Sequence, residues 1–170
     1  MASTTGSSKS FRQRGRVSSL YAVTIVRSMA TRSSETRTLR AFTVGDLFEK
    51  HTSQIVALWN DAHGTRLTVL EKDVSERSSL EYAGQLLSVA IGRPTNMHAP
   101  KIVAATSNVL LLFHAKKLNP VWHRVLRPAV INDLRILDGD HDNRRDIAVT
   151  TTSGTIWFTF DGKVLRQRAQ

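Results

Sequence analysis

Asp138-Gly139-Asp140-His141-Asp142-Asn143-Arg144-Arg145-Asp146 lies between two apolar runs, Leu134-Arg135-Ile136-Leu137 and Ile147-Ala148-Val149. Carboxylates stand at loop positions one, three, five and nine. In a tight loop, a spacing of two turns alternate side chains towards one centre. Hard oxygen donors converging in this way suit Ca²⁺, which takes about 6–8 oxygens at roughly 2.3–2.6 Å. So dense a group of like charges repels itself unless a cation sits among them. The loop predicts a metal, and its short apolar flanks predict strands and an all-β fold. The plainer alternative is an acidic loop whose Asp residues cap strand ends without holding metal.

The 170-residue chain has room for one domain, or one domain and a tail. It contains no Cys, which excludes disulfides, zinc–thiolate sites and a thiol nucleophile. No apolar run approaches the ~20 residues that a membrane-spanning helix requires. The longest, Val109-Leu110-Leu111-Leu112-Phe113, has the length of a strand.

The net charge of +10 is unevenly placed. Residues 1–40 carry eight Lys/Arg against one acid, Glu35; the remaining 130 residues carry sixteen against thirteen. The body is nearly balanced and lacks the basic excess of a nucleic-acid-binding domain. Residues 1–19 are Ser-, Thr- and Arg-rich, too polar to form a core, and read as a disordered basic tail or targeting segment. Residues 1–34 have the Arg- and Ser-rich, acid-poor composition of an organelle transit peptide. Residues 20–40 read as a lead-in strand, Leu20 to Val26, with a linker; that strand also suits the remnant of an upstream blade.

A repeat organises the rest. Gln54-Ile55-Val56-Ala57-Leu58-Trp59, Lys101-Ile102-Val103-Ala104-Ala105-Thr106 and Asp146-Ile147-Ala148-Val149-Thr150-Thr151 resemble one another, with their Ile residues at 55, 102 and 147. An earlier strand leads into each, at 41–46, 86–92 and 133–138. A third follows each, at 65–70, 109–113 and 155–160. The turns between second and third strands carry Gly64, Asn108 and Gly154, residues that tolerate positive φ. A weaker fourth strand fits 121–126 and 163–166, whereas the first unit offers only Leu80 to Ala83, with Asp73 to Leu80 read as a loop. Four short strands in roughly 45 residues is the period of a propeller blade. The expected blades span 41–84, 85–127 and 128–170, and their apolar second and third strands suit the middle of a sheet covered on both faces.

In Leu134 to Val149, followed by Ser153-Gly154 and Thr155 to Phe160, the chain resembles the FG-GAP (VCBS, integrin-α-type) β-propeller repeat. That pattern is a strand, a D-x-D-x-D-G-x-x-D calcium loop, a strand, a Gly turn and a strand. The match is strong in the last unit and weak in the two before it. The resemblance implies Ca²⁺ ligation by the side chains of Asp138, Asp140, Asp142 and Asp146 and by the backbone carbonyl of Arg144. The sequence departs from the pattern at Asn143, where the family has Gly; Asn is among the residues that visit left-handed φ most readily. Arg144 and Arg145 put positive charge beside the cation. The earlier units lack the acidic pattern.

No metal-binding His spacing, nucleophile elbow, phosphate loop or dinucleotide motif is present. Trp59, Trp122 and Trp157 sit in or beside apolar strands, where core or blade-edge packing is expected. The resulting expectation is a non-enzymatic, calcium-binding propeller module that acts as a protein–protein interaction scaffold. Three blades do not close a ring of four to eight, so further blades or a protein partner are implied. Two other readings stay open: a structural subunit of an organelle ribosome or other basic assembly, using its N-terminal tail on RNA phosphates, and a fragment of a propeller-type polysaccharide-active enzyme.

Overall fold

The computed structural model describes residues 37–48, 52–95, 98–140 and 142–169. The chain divides into Met1–Glu35 and Thr36–Gln170, and the described residues belong to the second unit. The tail, the Leu20–Val26 strand and the targeting segment lie outside them.

The described fold is all-β, with twelve strands in three four-stranded antiparallel sheets. The first comprises β1 (Thr38–Gly45), β2 (Gln54–Asn60), β3 (Thr65–Leu70) and β4 (Glu76–Tyr82). The second comprises β5 (Ser88–Gly92), β6 (Lys101–Ala105), β7 (Val109–His114) and β8 (Pro120–Val125). The third comprises β9 (Ile131–Leu137), β10 (Asp146–Thr151), β11 (Gly154–Phe158) and β12 (Val164–Arg168). Each is a simple meander in which neighbours in sequence pair in space. The first strands lie side by side, β1 against β5 and β5 against β9, so they form the hub from which the blades radiate.

Face-to-face packing explains the apolar middle strands. Ile102, Ala104, Leu111 and Phe113 of the second blade pack with Val56, Leu58, Leu67 and Val69 of the first. On the other face, Val103, Ala105, Leu110 and Leu112 pack with Ile147, Val149, Leu134 and Phe158 of the third. Successive residues of a strand point to opposite faces, so a sheet covered on both sides needs apolar residues at every position. Each fully buried Leu, Val, Ile or Phe contributes about 1.5–3 kcal/mol.

Gly45 and Gly92 end β1 and β5 at equivalent places, pairing with Gln54 and Lys101. A Cβ on Gly92 would lie 2.6 Å from Ile136 Cγ2 and 3.0 Å from Phe160 Cζ; one on Gly45 would meet Ile91 at 3.3 Å. The absent side chains let adjacent blades close at the hub. In the third blade the position is Leu137, paired with Asp146.

The outer strands are exposed and mix charge with apolar residues, Val121 and Val125 on β8 and Val164 and Leu165 on β12 standing open to solvent. β12 is exposed throughout, and β8 begins with Pro120, which cannot donate to a further strand. Charge and proline at sheet edges discourage edge-to-edge association. The segment read as a loop in the first unit is a turn at Asp73 followed by β4. The apolar signal there is thin because Ser78, Leu80 and Tyr82 share one face, while Glu76 and Glu81 on the other pair with Arg66, and Glu81 also with Arg37. Ion pairs across neighbouring strands substitute for hydrophobic alternation.

Candidate metal centre

Loops joining first to second strands gather at one end of the blades. Arg93 Nη2 donates to the Asp46 carbonyl (3.3 Å), and the Arg145 N–H donates to the Pro94 carbonyl (2.8 Å). Two hydrogen bonds thus link the three loops in series, and the acidic loop between β9 and β10 is the last of them.

Local hydrogen bonds fold that loop. The Asn143 N–H donates to Asp138 Oδ2 (3.1 Å), the Asp142 N–H to Asp140 Oδ1 (3.3 Å), and the Arg144 N–H to Asp142 Oδ1 (2.7 Å). Asn143 adopts φ 65°, so it makes the left-handed turn for which Gly is the commoner residue. Carboxylate oxygens of Asp138, Asp140 and Asp142 all lie within 4.8 Å of one another. Opposite oxygens on one Ca²⁺ shell are about 4.6–5.2 Å apart, so these three donors fit a single hard cation. Arg144 Nε approaches Asp142 Oδ2 at 3.9 Å, a contact that competes with such a cation.

Asp146 stands apart from this trio. It is 5% exposed and accepts the Gly139 N–H. Burial holds its carboxyl above the usual carboxylate range; the Gly139 N–H pulls it down, and the charges of Asp140, Asp142 and Asp138 push it further up.

Comparison of the blades explains this residue. Gln54 occupies the same place in the first blade, is wholly buried, and accepts the Leu47 N–H through Oε1 (2.9 Å). Leu47 and Gly139 are equivalent, each two residues beyond the end of the first strand. In the second blade that residue is Pro94, which has no N–H to satisfy, and the facing position is Lys101. An acceptor is therefore kept wherever the loop presents a buried donor. Asp146 has this structural task whether or not a metal binds.

The base of the loop is fixed by residues that the acidic spacing does not reveal. Arg166 stacks over the Trp157 ring, 4.3 Å from its centroid, and its Nη2 donates to the Gly139 carbonyl (2.6 Å). A Cβ on Gly139 would lie 2.5 Å from the Trp157 ring. The sequence signal was the Gly inside Asp-Gly-Asp. Trp122, on an outer strand, donates from Nε1 to the Phe160 carbonyl of the next blade (2.9 Å), and Trp59 is buried. The six His form no cluster among the described residues, and His51 and His141 lie outside them.

The sequence matches no protein-family profile and no curated protein. Solved structures do resemble it. The crystal structure of BBS1N in complex with ARL6DN, soaked with lead, superposes with a TM-score of 0.63 at 15% identity over 79% of this chain and 44% of that chain. The mercury-soaked crystal of the same complex gives a TM-score of 0.62 at 13% identity over 77% and 44%. The chain thus spans less than half the length of the structures it resembles. At this identity the likeness concerns the fold. No helix among the described residues is long and apolar enough to cross a membrane. The described part of the chain is a partial β-propeller of three four-stranded blades, similar in fold to the BBS1 N-terminal propeller.

Proposed function

We propose that the chain is a non-enzymatic, calcium-binding propeller module of the FG-GAP kind that serves as a scaffold for protein partners. The observation that carries the scaffold reading is its partial propeller architecture, shared with a propeller that crystallises in complex with ARL6DN. Three blades leave a ring open, and further blades or a partner would complete or cover it. Asp138, Asp140 and Asp142 would hold the cation, joined by the Arg144 carbonyl. Asp146 would sit behind them, keeping Gly139 in place and adding charge. Bound Ca²⁺ supplies neutralisation of these carboxylates, which rigidifies the loop. The loop is tied to its neighbour through Arg145 and Pro94, so stiffening it stabilises the contact between second and third blades.

The experiment is calorimetry of the whole chain in calcium and in chelator, paired with Asp138→Ala/Asp142→Ala. Ligand at about 100 times its dissociation constant adds roughly 2.7 kcal/mol, which the double variant should lack. Equal melting of both proteins in both buffers would remove the calcium role. ARL6 is the first partner to titrate against the chain, with calorimetric binding the expected result.

A further inference from the structure

At the same end of the blades, between Leu47 and Phe48 beyond β1 and the turn after β7, lies a cleft of about 350 Å³. Its apolar side comes from Leu47, Phe48 and Ala115, all buried members of the core between the first two blades. Phe48 is held from behind by the Arg77 guanidinium, 3.9 Å from its ring centroid.

Among the described residues, every titratable side chain lining this cleft is basic: Lys101, His114, Lys116 and Lys117. Lys101 Nζ is 2.7 Å from His114 Nδ1, so a strong cation meets a second basic group rather than a carboxylate. Lys116 and Lys117 are exposed and take part in no ion pair with a described residue. Where the first and third blades place the acceptors Gln54 and Asp146, the second places Lys101. Pro94 has no N–H that needs an acceptor, and Lys101 puts a positive charge where Gln54 is neutral and Asp146 acidic.

We propose that this cleft binds an acidic peptide segment of a partner protein, an apolar side chain entering against Phe48 and an adjacent Asp or Glu meeting the lysines. The apolar wall chooses a peptide over a bare phosphate, which would meet carbon over much of its surface. The inference rests on the reading of the chain as a partner-binding scaffold and deepens it by naming the chemistry recognised.

The test is fluorescence anisotropy of the whole chain with a fluorescein-labelled peptide Glu-Leu-Asp-Phe-Glu and its neutral analogue Gln-Leu-Asn-Phe-Gln. The acidic peptide should bind at least about tenfold more tightly than the neutral one and weaken in about 0.5 M salt. Lys116→Glu/Lys117→Glu should weaken it by a further factor of at least about ten with an unchanged melting temperature, because both side chains are exposed. Equal affinity for the two peptides, or an unaltered affinity in the double variant, would overturn the assignment. Complete displacement by inorganic phosphate would overturn it too, in favour of a phosphate-bearing ligand. Failure of the peptide while ARL6 still binds removes the cleft assignment alone; failure of ARL6 while the peptide binds removes that partner and leaves the cleft.

Discussion

Gly92→Ala is the substitution that most directly tests the packing of blades at the hub. The added methyl would sit 2.6 Å from Ile136 Cγ2, 3.1 Å from Ile136 Cγ1 and 3.0 Å from Phe160 Cζ. The first atom belongs to a β-branched side chain with little rotamer freedom, so Ile136 must move with its strand. Overpacking of this kind costs about 1–3 kcal/mol. Gly92 has no positive φ, so Ala lowers the unfolded-state entropy and returns about 0.4–1 kcal/mol. The net expectation is a loss of about 1–2 kcal/mol, or roughly 4–8 °C in melting temperature for a folded body of this size. Gly45→Ala is the internal control: its Cβ would meet Ile91 at 3.3 Å, a shift that Ile91 can absorb, and stability should change by no more than about 0.5 kcal/mol. Urea denaturation of both variants, and of Gly92→Ala in an Ile136→Ala background, supplies the measurement. Removing the Ile136 branches frees space for the methyl and for the Phe160 ring tip, so the two substitutions should couple by about 1 kcal/mol or more. Equal stability of the two Gly variants, or a Gly92→Ala penalty that persists without Ile136, would refute the hub argument.

Other substitutions probe separate parts of the structure. Gly154→Ala forces a side chain at φ 125° and presses it on the Arg168 carbonyl oxygen; a loss of at least about 2 kcal/mol by denaturation is expected. Trp122→Phe replaces the indole with a smaller phenyl ring and deletes the donor to the Phe160 carbonyl, and should cost at least about 1 kcal/mol, read as a shift of the urea midpoint with unchanged slope. Asp146 supplies a pH signature in chelator. Its folded carboxyl is held above the ordinary carboxyl value of 3.8, so the folded chain binds that proton more tightly than the unfolded one, and stability falls as pH rises from 3.8 through the raised value. Asp146→Asn keeps an acceptor for Gly139 and removes the charge. The difference between variant and wild-type midpoints should therefore grow in favour of the variant from pH ~4 to ~7, and a flat difference would contradict the assignment.

The blade plan was legible because two signals coincide along the chain. The Ile residues at 55, 102 and 147 mark equivalent places in three sheets, and the turn residues Gly64 and Gly154 hold the positive φ their hairpins require. Burial on both faces writes itself as continuous apolar residues, and a hairpin writes itself as Gly or Asn; both are local. Only the end of β4 was legible, at Leu80 to Ala83, because its first half is held by charged and polar residues that pair with Arg66 across the sheet and carry no apolar strand period. The acidic loop could be found by spacing, and its left-handed turn at Asn143 followed from the residue itself.

Tertiary structure alone decided the rest. The spacing of carboxylates treats Asp138, Asp140, Asp142 and Asp146 as equals, yet the fold groups the first three and buries the fourth behind them to hold the Gly139 N–H. That division depends on a donor that exists in two blades and is missing at Pro94 in the other, which only superposing the registers reveals. The hub glycines and the cleft beside Phe48 are likewise meetings of residues distant in sequence. A single strand encodes which of its faces are apolar through the alternation of its own side chains. Which neighbour it meets, and whose methyl fills the gap above Gly92, is set by the packing of one sheet upon another.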